Sequence, residues 1–169
     1  LKFKKDKDIY ALLNVAGVAS MNLLLSTPEE TVRNIINTNL IGTIFCTREI
    51  IPAFVRSKVG RIINFSSLAV EIGLQGESVY VASKAGVEGF TRSIARELAS
   101  FNVTVNCISP GPVKTKLTEK VPKSYIDKVM QQQIITEQCK EEDILNCVKL
   151  ILDSKSDKIT GENFIIGGF

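Results

Sequence analysis

Tyr80 and Lys84 stand four residues apart, and Ser66-Ser67 precedes them by one short loop. Residues four apart on a helix share a face, so the phenol and the ammonium would point the same way. A Ser at the C-terminal end of a strand can face the start of a helix packed beside that strand. Together they would place a hydroxyl, a phenol and an ammonium around one small volume. A free Tyr titrates near 10, and bringing it to about 7 takes roughly 4 kcal/mol at about 1.36 kcal/mol per unit. A cation about 4 Å away at an effective dielectric of about 20 supplies roughly that much. Tyr80 could then exchange a proton near neutrality, and Ser67 could hydrogen-bond an oxygen on which charge develops. This chemistry suits interconversion of a carbonyl and an alcohol. An ordinary helix with a half-buried Tyr and a surface Lys shows the same spacing, so the neighbouring elements decide between the two.

The run Arg61-Ile62-Ile63-Asn64-Phe65 leads into Ser66 and Ser67, and residues 60–67 read as a buried parallel strand. A loop containing Gly73 and Gly76 follows. From Tyr80 to about residue 99 there is no Pro, and Ala82, Ala85, Gly86, Gly89 and Phe90 fall on one face, which predicts a helix. Upstream, residues 9–13 read as a short buried strand. It ends in the small-residue turn Asn14-Val15-Ala16-Gly17, where a ligand can approach the backbone closely. Thr27 as N-cap, Pro28 at the first position and Glu29 and Glu30 in the first turn open a helix. Apolar positions carry it from Val32 to Ile51, ending near Pro52 or continuing kinked to Val55. Asn39 lies inside it beside Gly42. A poor helix former there is either a solvent-facing residue or an inward-facing amide.

Val103-Thr104-Val105-Asn106-Cys107-Ile108 predicts a third strand, closed by the rigid turn Ser109-Pro110-Gly111-Pro112. Residues 114–138 are polar and basic (Lys114, Lys116, Lys120, Lys123, Lys128), with a short helix around 125–133. They read as a solvated surface segment or a flap over a site. Glu141-Glu142-Asp143 opens a helix with Ile144, Leu145, Val148, Ile151 and Leu152 on one face, and Asn163-Phe164-Ile165-Ile166 is a last strand. Alternating strands and helices make an α/β fold, a parallel sheet covered on both faces. Ligands bind such sheets beyond the C-terminal strand ends. The turns at 14–17, 66–67 and 109–111 all fall there, with Tyr80 and Lys84, and this convergence favours a site over an ordinary helix.

A chain of 169 residues fits one domain with a core of useful size. With 44% hydrophobic and 23% charged residues it has ordinary globular composition, and a net charge of +3 is too small to argue for nucleic acid. No apolar run approaches a membrane span, and the charged opening, residues 1–8, does not read as a signal peptide. The 4 cysteines show no Cys-x-x-Cys spacing and read as packing residues of a reducing, cytoplasmic compartment. The absence of His excludes His-dependent triads and the common zinc sites, and no metal is expected.

These residues resemble the short-chain dehydrogenases/reductases. The matching motifs are Asn14-Val15-Ala16-Gly17, Asn37-Thr38-Asn39-Leu40-Ile41-Gly42, Ser67, Tyr80-x-x-x-Lys84 and Pro110-Gly111-Pro112-Val113-x-Thr115, in order across nearly the whole chain. The resemblance implies a Rossmann-type doubly wound parallel sheet and hydride transfer with NAD or NADP, leaning to NADP. By resemblance, Tyr80 is the acid/base and Ser67 orients the substrate carbonyl. Lys84 lowers the Tyr80 pKa and holds the nicotinamide ribose, and Asn39 holds a water of a proton relay. The backbone of Asn14, Ala16 and Gly17 would run along the adenosine side of the cofactor, and Gly111, Val113 and Thr115 would border the nicotinamide. The small face Ala82, Ala85, Gly86 and Gly89 resembles the surface through which family members form dimers and tetramers.

Two departures accompany the resemblance. Val15 replaces the usual second Asn of Asn-Asn-Ala-Gly, with the expected loss of a hydrogen bond between neighbouring strands. The glycine-rich phosphate turn after a first strand is absent, as is the residue that chooses between NAD and NADP. Residues 1–169 thus match only the C-terminal portion of the family fold, lacking its N-terminal strands. Alone they are expected to be inactive, with an exposed sheet edge at residues 9–13. Arg61-Ile62-Ile63-Asn64, Ala85-Gly86-Val87-Glu88-Gly89-Phe90-Thr91 and Ile159-Thr160-Gly161-Glu162 resemble 3-oxoacyl-(acyl-carrier-protein) reductases of fatty acid biosynthesis, whose substrate is a carrier-linked carbonyl. An alcohol or sugar dehydrogenase, or a truncated non-catalytic subunit, remain the alternatives.

Overall fold

The computed structural model describes residues 9–115, 118–119 and 121–169. The charged opening and Lys116 and Lys120 of the basic segment lie outside the described residues. Four strands, β1 (Ala11–Asn14), β2 (Gly60–Phe65), β3 (Val103–Pro110) and β4 (Asn163–Ile166), form a parallel sheet in the order β1-β2-β3-β4. The helices are α1 (Glu29–Ile36), α2 (Gly42–Ser57), α3 (Ala69–Ile72), α4 (Ser78–Leu98), α5 (Lys123–Met130) and α6 (Glu141–Leu152). Each strand pairs with the next in parallel register, Asn14 opposite Asn64 and Asn64 opposite Cys107. This is the Rossmann-type α/β arrangement expected from the sequence. Among the described residues, β1 has no strand on its outer side.

Period-two alternation sorts the strand side chains between two cores. Ile62, Val103 and Val105 pack with Ile50, Ala53 and Phe54 of α2 and Ile94, Ala95 and Leu98 of α4. Ile63 and Ile108 face the other way and pack on Val148 and Ile151 of α6. On the α4 side, the strands change character along their length. Below, they present Ile62 and Val105; towards the C-terminal ends, they present Asn64 and Ser66 of the β2 run and Ser109 of β3, which bond to α4. Apolar burial holds the lower half of the sandwich, and hydrogen bonds hold the upper half, where ligands bind.

Several boundaries differ from the sequence reading. The strand expected at 9–13 lies at Ala11–Asn14, so Asn14 belongs to the sheet. The long helix from Val32 is divided: α1 ends at Ile36, a π-type turn covers Asn37–Ile41, and α2 runs through Pro52 to Ser57. Pro28, not Thr27, takes the N-cap place, because the Thr27 hydroxyl donates to Leu23 O at 3.0 Å in the preceding turn. The loop after Ser67 contains the short helix α3, and β3 extends to Pro110. Arg61, read as part of an apolar run, is 1% exposed, pairs with Asp157 and stacks over Tyr10.

Gly60 opens β2 directly under the Phe54 ring. A Cβ there would lie 2.5 Å from Phe54 Cγ, and the ring is fully buried. Gly60→Ala should therefore destabilise the fold by about 1–3 kcal/mol, read as a lowered urea midpoint. Phe54→Leu in the same chain should recover part of the loss. An unchanged midpoint would show that this core has room to yield.

Candidate active site

The strand β2 delivers Ser66 and Ser67 to the C-terminal edge of the sheet, and α4 begins beside them. Tyr80 occupies the first turn of α4 and Lys84 the next, and they are only 7% and 5% exposed. The Ser67 hydroxyl stands beside the Tyr80 phenol, whose pKa it lowers, and accepts from Ala69 N at 3.2 Å. Lys84 Nζ donates to Phe65 O at 2.8 Å and lies 5.8 Å from the centre of the Tyr80 ring. The hydroxyl, phenol and ammonium expected from the spacing are thus brought together.

Asn39 enters the same volume from the π-type turn and is fully buried, so its amide faces inward. Its Oδ1 accepts from Val18 N at 2.8 Å, and its Nδ2 donates to Val18 O at 2.9 Å and to Ser83 Oγ at 3.0 Å. Ser83 Oγ in turn donates to Tyr80 O at 2.7 Å. The amide pairs with Val18 as a neighbouring peptide would and fastens the loop after β1 onto α4. Gly17 then passes so close that a Cβ would lie 3.4 Å from Asn39 Oδ1 and 3.5 Å from Lys84 Nζ. The backbone at Ala16 and Gly17 is exposed and open to a ligand.

The Asn14 side chain is occupied. Its Nδ2 donates to Asn64 Oδ1 at 2.8 Å and to Thr47 Oγ1 at 3.1 Å, while Asn64 Nδ2 donates to Thr91 Oγ1 at 2.9 Å. Asn14 itself ties β1 to β2 through Asn64. Gly111, Val113 and Thr115 follow β3 along the same edge. Gly111 is buried, with its N–H on Ile166 O at 3.2 Å; Val113 bridges to Cys139; Thr115 is exposed. The basic segment reaches across the edge, where Tyr125 Oη donates to Gln75 O at 3.0 Å in the loop before α4. In the small-residue face, Gly86 is taken up within the chain, because a Cβ there would lie 2.9 Å from Leu40 Cδ2; Gly89 faces open space.

Electrostatics depart from the simple pair argument. Burial pushes the Tyr80 phenol above its ordinary value; the Ser67 hydrogen bond pulls it down, and the Glu77 carboxylate pushes it further up. Burial also lowers the Lys84 ammonium to about 8. The net shift of the phenol is upward, with burial its largest cause. Desolvation disfavours both charged forms, and the ammonium spends its strongest contact on the Phe65 carbonyl. The sequence reading missed Glu77, raised by burial, and Ser83. Ser83 precedes Lys84 directly, and Glu77 lies three residues before Tyr80, so nearness to the motif was the available signal.

The model of a family described as enoyl-(acyl carrier protein) reductase matches residues 3–168. The chain belongs to the short-chain dehydrogenases/reductases. It is 35% identical over 157 residues to 3-oxoacyl-[acyl-carrier-protein] reductase FabG of Staphylococcus epidermidis, covering 93% of this chain and 64% of that protein. It is 35% identical over 165 residues to the 3-oxoacyl-[acyl-carrier-protein] reductase of Synechocystis, covering 97% of this chain and 66% of that protein. The chain therefore spans a little under two thirds of the length of these relatives. A solved structure of 4-hydroxyisoleucine dehydrogenase complexed with NADH superposes with a TM-score of 0.86 at 30% identity, covering 94% of this chain and 67% of that one.

Because Lys84 titrates lower in the folded chain, it binds fewer protons there than when unfolded between about pH 8 and its ordinary 10.5. Stability relative to Lys84→Met should rise across that window, by up to roughly 3 kcal/mol. Below about pH 8 the difference between the two should be flat. Urea unfolding of both chains at a series of pH values measures it; a flat difference throughout would show that burial does not govern Lys84.

Proposed function

We propose that this protein is a nicotinamide-dependent oxidoreductase that interconverts a carbonyl and an alcohol, acting as a 3-oxoacyl-(acyl-carrier-protein) reductase. The observation that carries this reading is the gathering of the Ser67 hydroxyl, the buried Tyr80 phenol and, one helical turn on, the buried Lys84 ammonium at the sheet edge where folds of this kind bind ligands. The exposed backbone of Ala16 and Gly17, running over Asn39 and Lys84, suits a dinucleotide laid along the edge. In this reading Asn14, Ala16 and Gly17 line its adenosine side, and Gly111, Val113 and Thr115 border the nicotinamide. When bound, the cofactor supplies the hydride. NAD and NADP both fit these residues.

In reduction, Ser67 holds the substrate oxygen and Tyr80 gives it the phenolic proton, so the carbon gains a hydride and the oxygen a proton. A phenol held protonated by burial is the form this direction needs. Lys84, lowered to about 8, restores the proton from the direction of Asn39. The exposed Ala82 and Ala85, with half-buried Gly89 open at its Cβ position, support assembly with further copies of the chain. Among the described residues, no helix is long and apolar enough to cross a membrane. The likeness to 4-hydroxyisoleucine dehydrogenase favours a second reading, a dehydrogenase of a small hydroxylated substrate.

Tyr80→Phe keeps the shape of the site and removes the exchangeable proton. In the full-length protein, turnover of a 3-oxoacyl substrate should fall on the order of 10²–10⁴-fold, with nicotinamide binding nearly unchanged by calorimetry. Near-native turnover by the Phe variant would end the assignment.

The two substrate classes separate by salt. Lys114, Lys116, Lys120, Lys123 and Lys128 outnumber Glu119, Asp127 and Glu137 and give the segment after β3 a basic character, and steering of an acidic carrier is screened by salt. Activity on a carrier-linked 3-oxoacyl group should fall with ionic strength more steeply than activity on a neutral ketone. Equal responses, or good turnover of a small alcohol with none of the 3-oxoacyl group, would favour the second reading.

A further inference from the structure

Tyr80, Lys84 and Glu88 recur every four residues along α4, so a carboxylate continues the stripe that carries the phenol and the ammonium. Glu88 is 8% exposed. A carboxylate so far withdrawn from water needs donors. Its main donor is Ser66 Oγ, 2.6 Å from Oε1. Ser109 Oγ stands 3.4 Å from the same oxygen while making a shorter bond, 2.7 Å, to Asn163 Oδ1. Two strand ends, those of β2 and β3, therefore meet at one carboxylate on α4, and Ser109 links the second to the start of β4.

Ser66 is the residue immediately before Ser67. Its N–H bonds Ile108 O at 2.8 Å, and Leu68 N bonds Pro110 O at 3.0 Å, so the backbone on both sides of Ser67 is tied to β3. Those bonds fix the chain within the plane of the sheet. They do not fix its distance from α4, where Tyr80 lies. Only two acceptors on α4 reach the Ser66 hydroxyl: Glu88, and the Lys84 carbonyl at a longer 3.3 Å. We propose that Glu88 is the positioning residue for Ser67: by drawing Ser66 onto α4 it sets the Ser67 hydroxyl within reach of the Tyr80 phenol carried by the same helix. This rests on the reading of Ser67 and Tyr80 given above. A leucine would fill the space but leave the Ser66 hydroxyl with its longer bond alone; Lys84 Nζ would still hold Phe65 O, but the residues beyond it, Ser66 and Ser67, would lose their short tie to the helix.

The test compares Glu88→Leu, Glu88→Gln and Ser66→Ala in the full chain, with Ser67→Ala and Tyr80→Phe as references. The first readout is the carbon-13 NMR resonance of the Tyr80 Cζ at neutral pH, identified by its loss in Tyr80→Phe. It responds to hydrogen bonding at the phenol and needs no turnover. Glu88→Leu and Ser66→Ala should move it in the same sense as Ser67→Ala. Glu88→Gln, whose side-chain carbonyl still accepts from Ser66, should leave it with the parent. The second readout is steady-state kinetics. Glu88→Leu should lower kcat on the order of tenfold to a hundredfold, as loss of a positioned donor does, with KM for the nicotinamide cofactor little changed. Glu88→Gln should restore most of it. Parent-like resonances in Glu88→Leu and Ser66→Ala overturn the proposal, as does a Gln variant that behaves like Leu. If Glu88→Leu fails to fold, Ser66→Ala and Glu88→Gln decide by the same resonance. Full turnover in Tyr80→Phe would instead sink the functional reading, while the resonance still judges Glu88.

Discussion

The hydrogen bonds between α4 and the C-terminal ends of the strands hold the rest of the site in place. One set runs from Thr47 through Asn14 and Asn64 to Thr91, crossing from α2 over β1 and β2 to α4. A second set runs from Ser66 through Glu88 to Ser109 and Asn163, crossing from the end of β2 over α4 to β3 and β4. Each such bond is worth only about 0.5–1.5 kcal/mol net, but an orphaned buried partner costs about 1–3 kcal/mol. The asymmetry favours one arrangement of strand ends over all sliding alternatives, which apolar packing alone tolerates. The apolar lower half of the sandwich stabilises the fold; the polar upper half fixes where the chemistry-bearing side chains stand.

Burial acts on the two ionisable groups of the site in opposite senses with one result. It raises the phenol of Tyr80 and lowers the ammonium of Lys84 because water solvates the charged form of each better than the protein does. The phenol keeps its proton, and the ammonium stands ready to release one near pH 8. The pair argument from helical spacing treated Lys84 as a free point charge about 4 Å away. In the fold its Nζ is held by the Phe65 carbonyl and is itself desolvated, which that argument left out.

Asn39 shows how an unfavourable local choice is made good by the fold. A π-type turn is a rare interruption of a helix and one found often at functional sites. Here it carries a fully buried amide that both accepts from and donates to the backbone of Val18. The loop after β1 is thereby fastened to α4 through Ser83, and Gly17 is brought against Lys84. No regular helix was needed at that point; a correctly placed amide was.

The sequence by itself determined the alternation of strands and helices, the sheet edge on which the turns fall, and the association of Ser67, Tyr80 and Lys84. These depend on periodicities of two and four residues and on turn chemistry, which are local properties of the chain. The inward direction of Asn39 was one of two open readings, and the fold chose it through Val18. Tertiary structure alone decided the rest: that the Asn14 side chain ties β1 to β2 through Asn64, that Arg61 is buried on Asp157 within an apolar run, and that Glu88 receives Ser66 from 22 residues earlier. It also decided the sense in which Tyr80 and Lys84 are shifted. The physical reason is the same throughout. Hydrogen bonds to distant partners and the loss of water around a charge arise only when separate segments are packed together, and neither leaves a periodic trace in the chain.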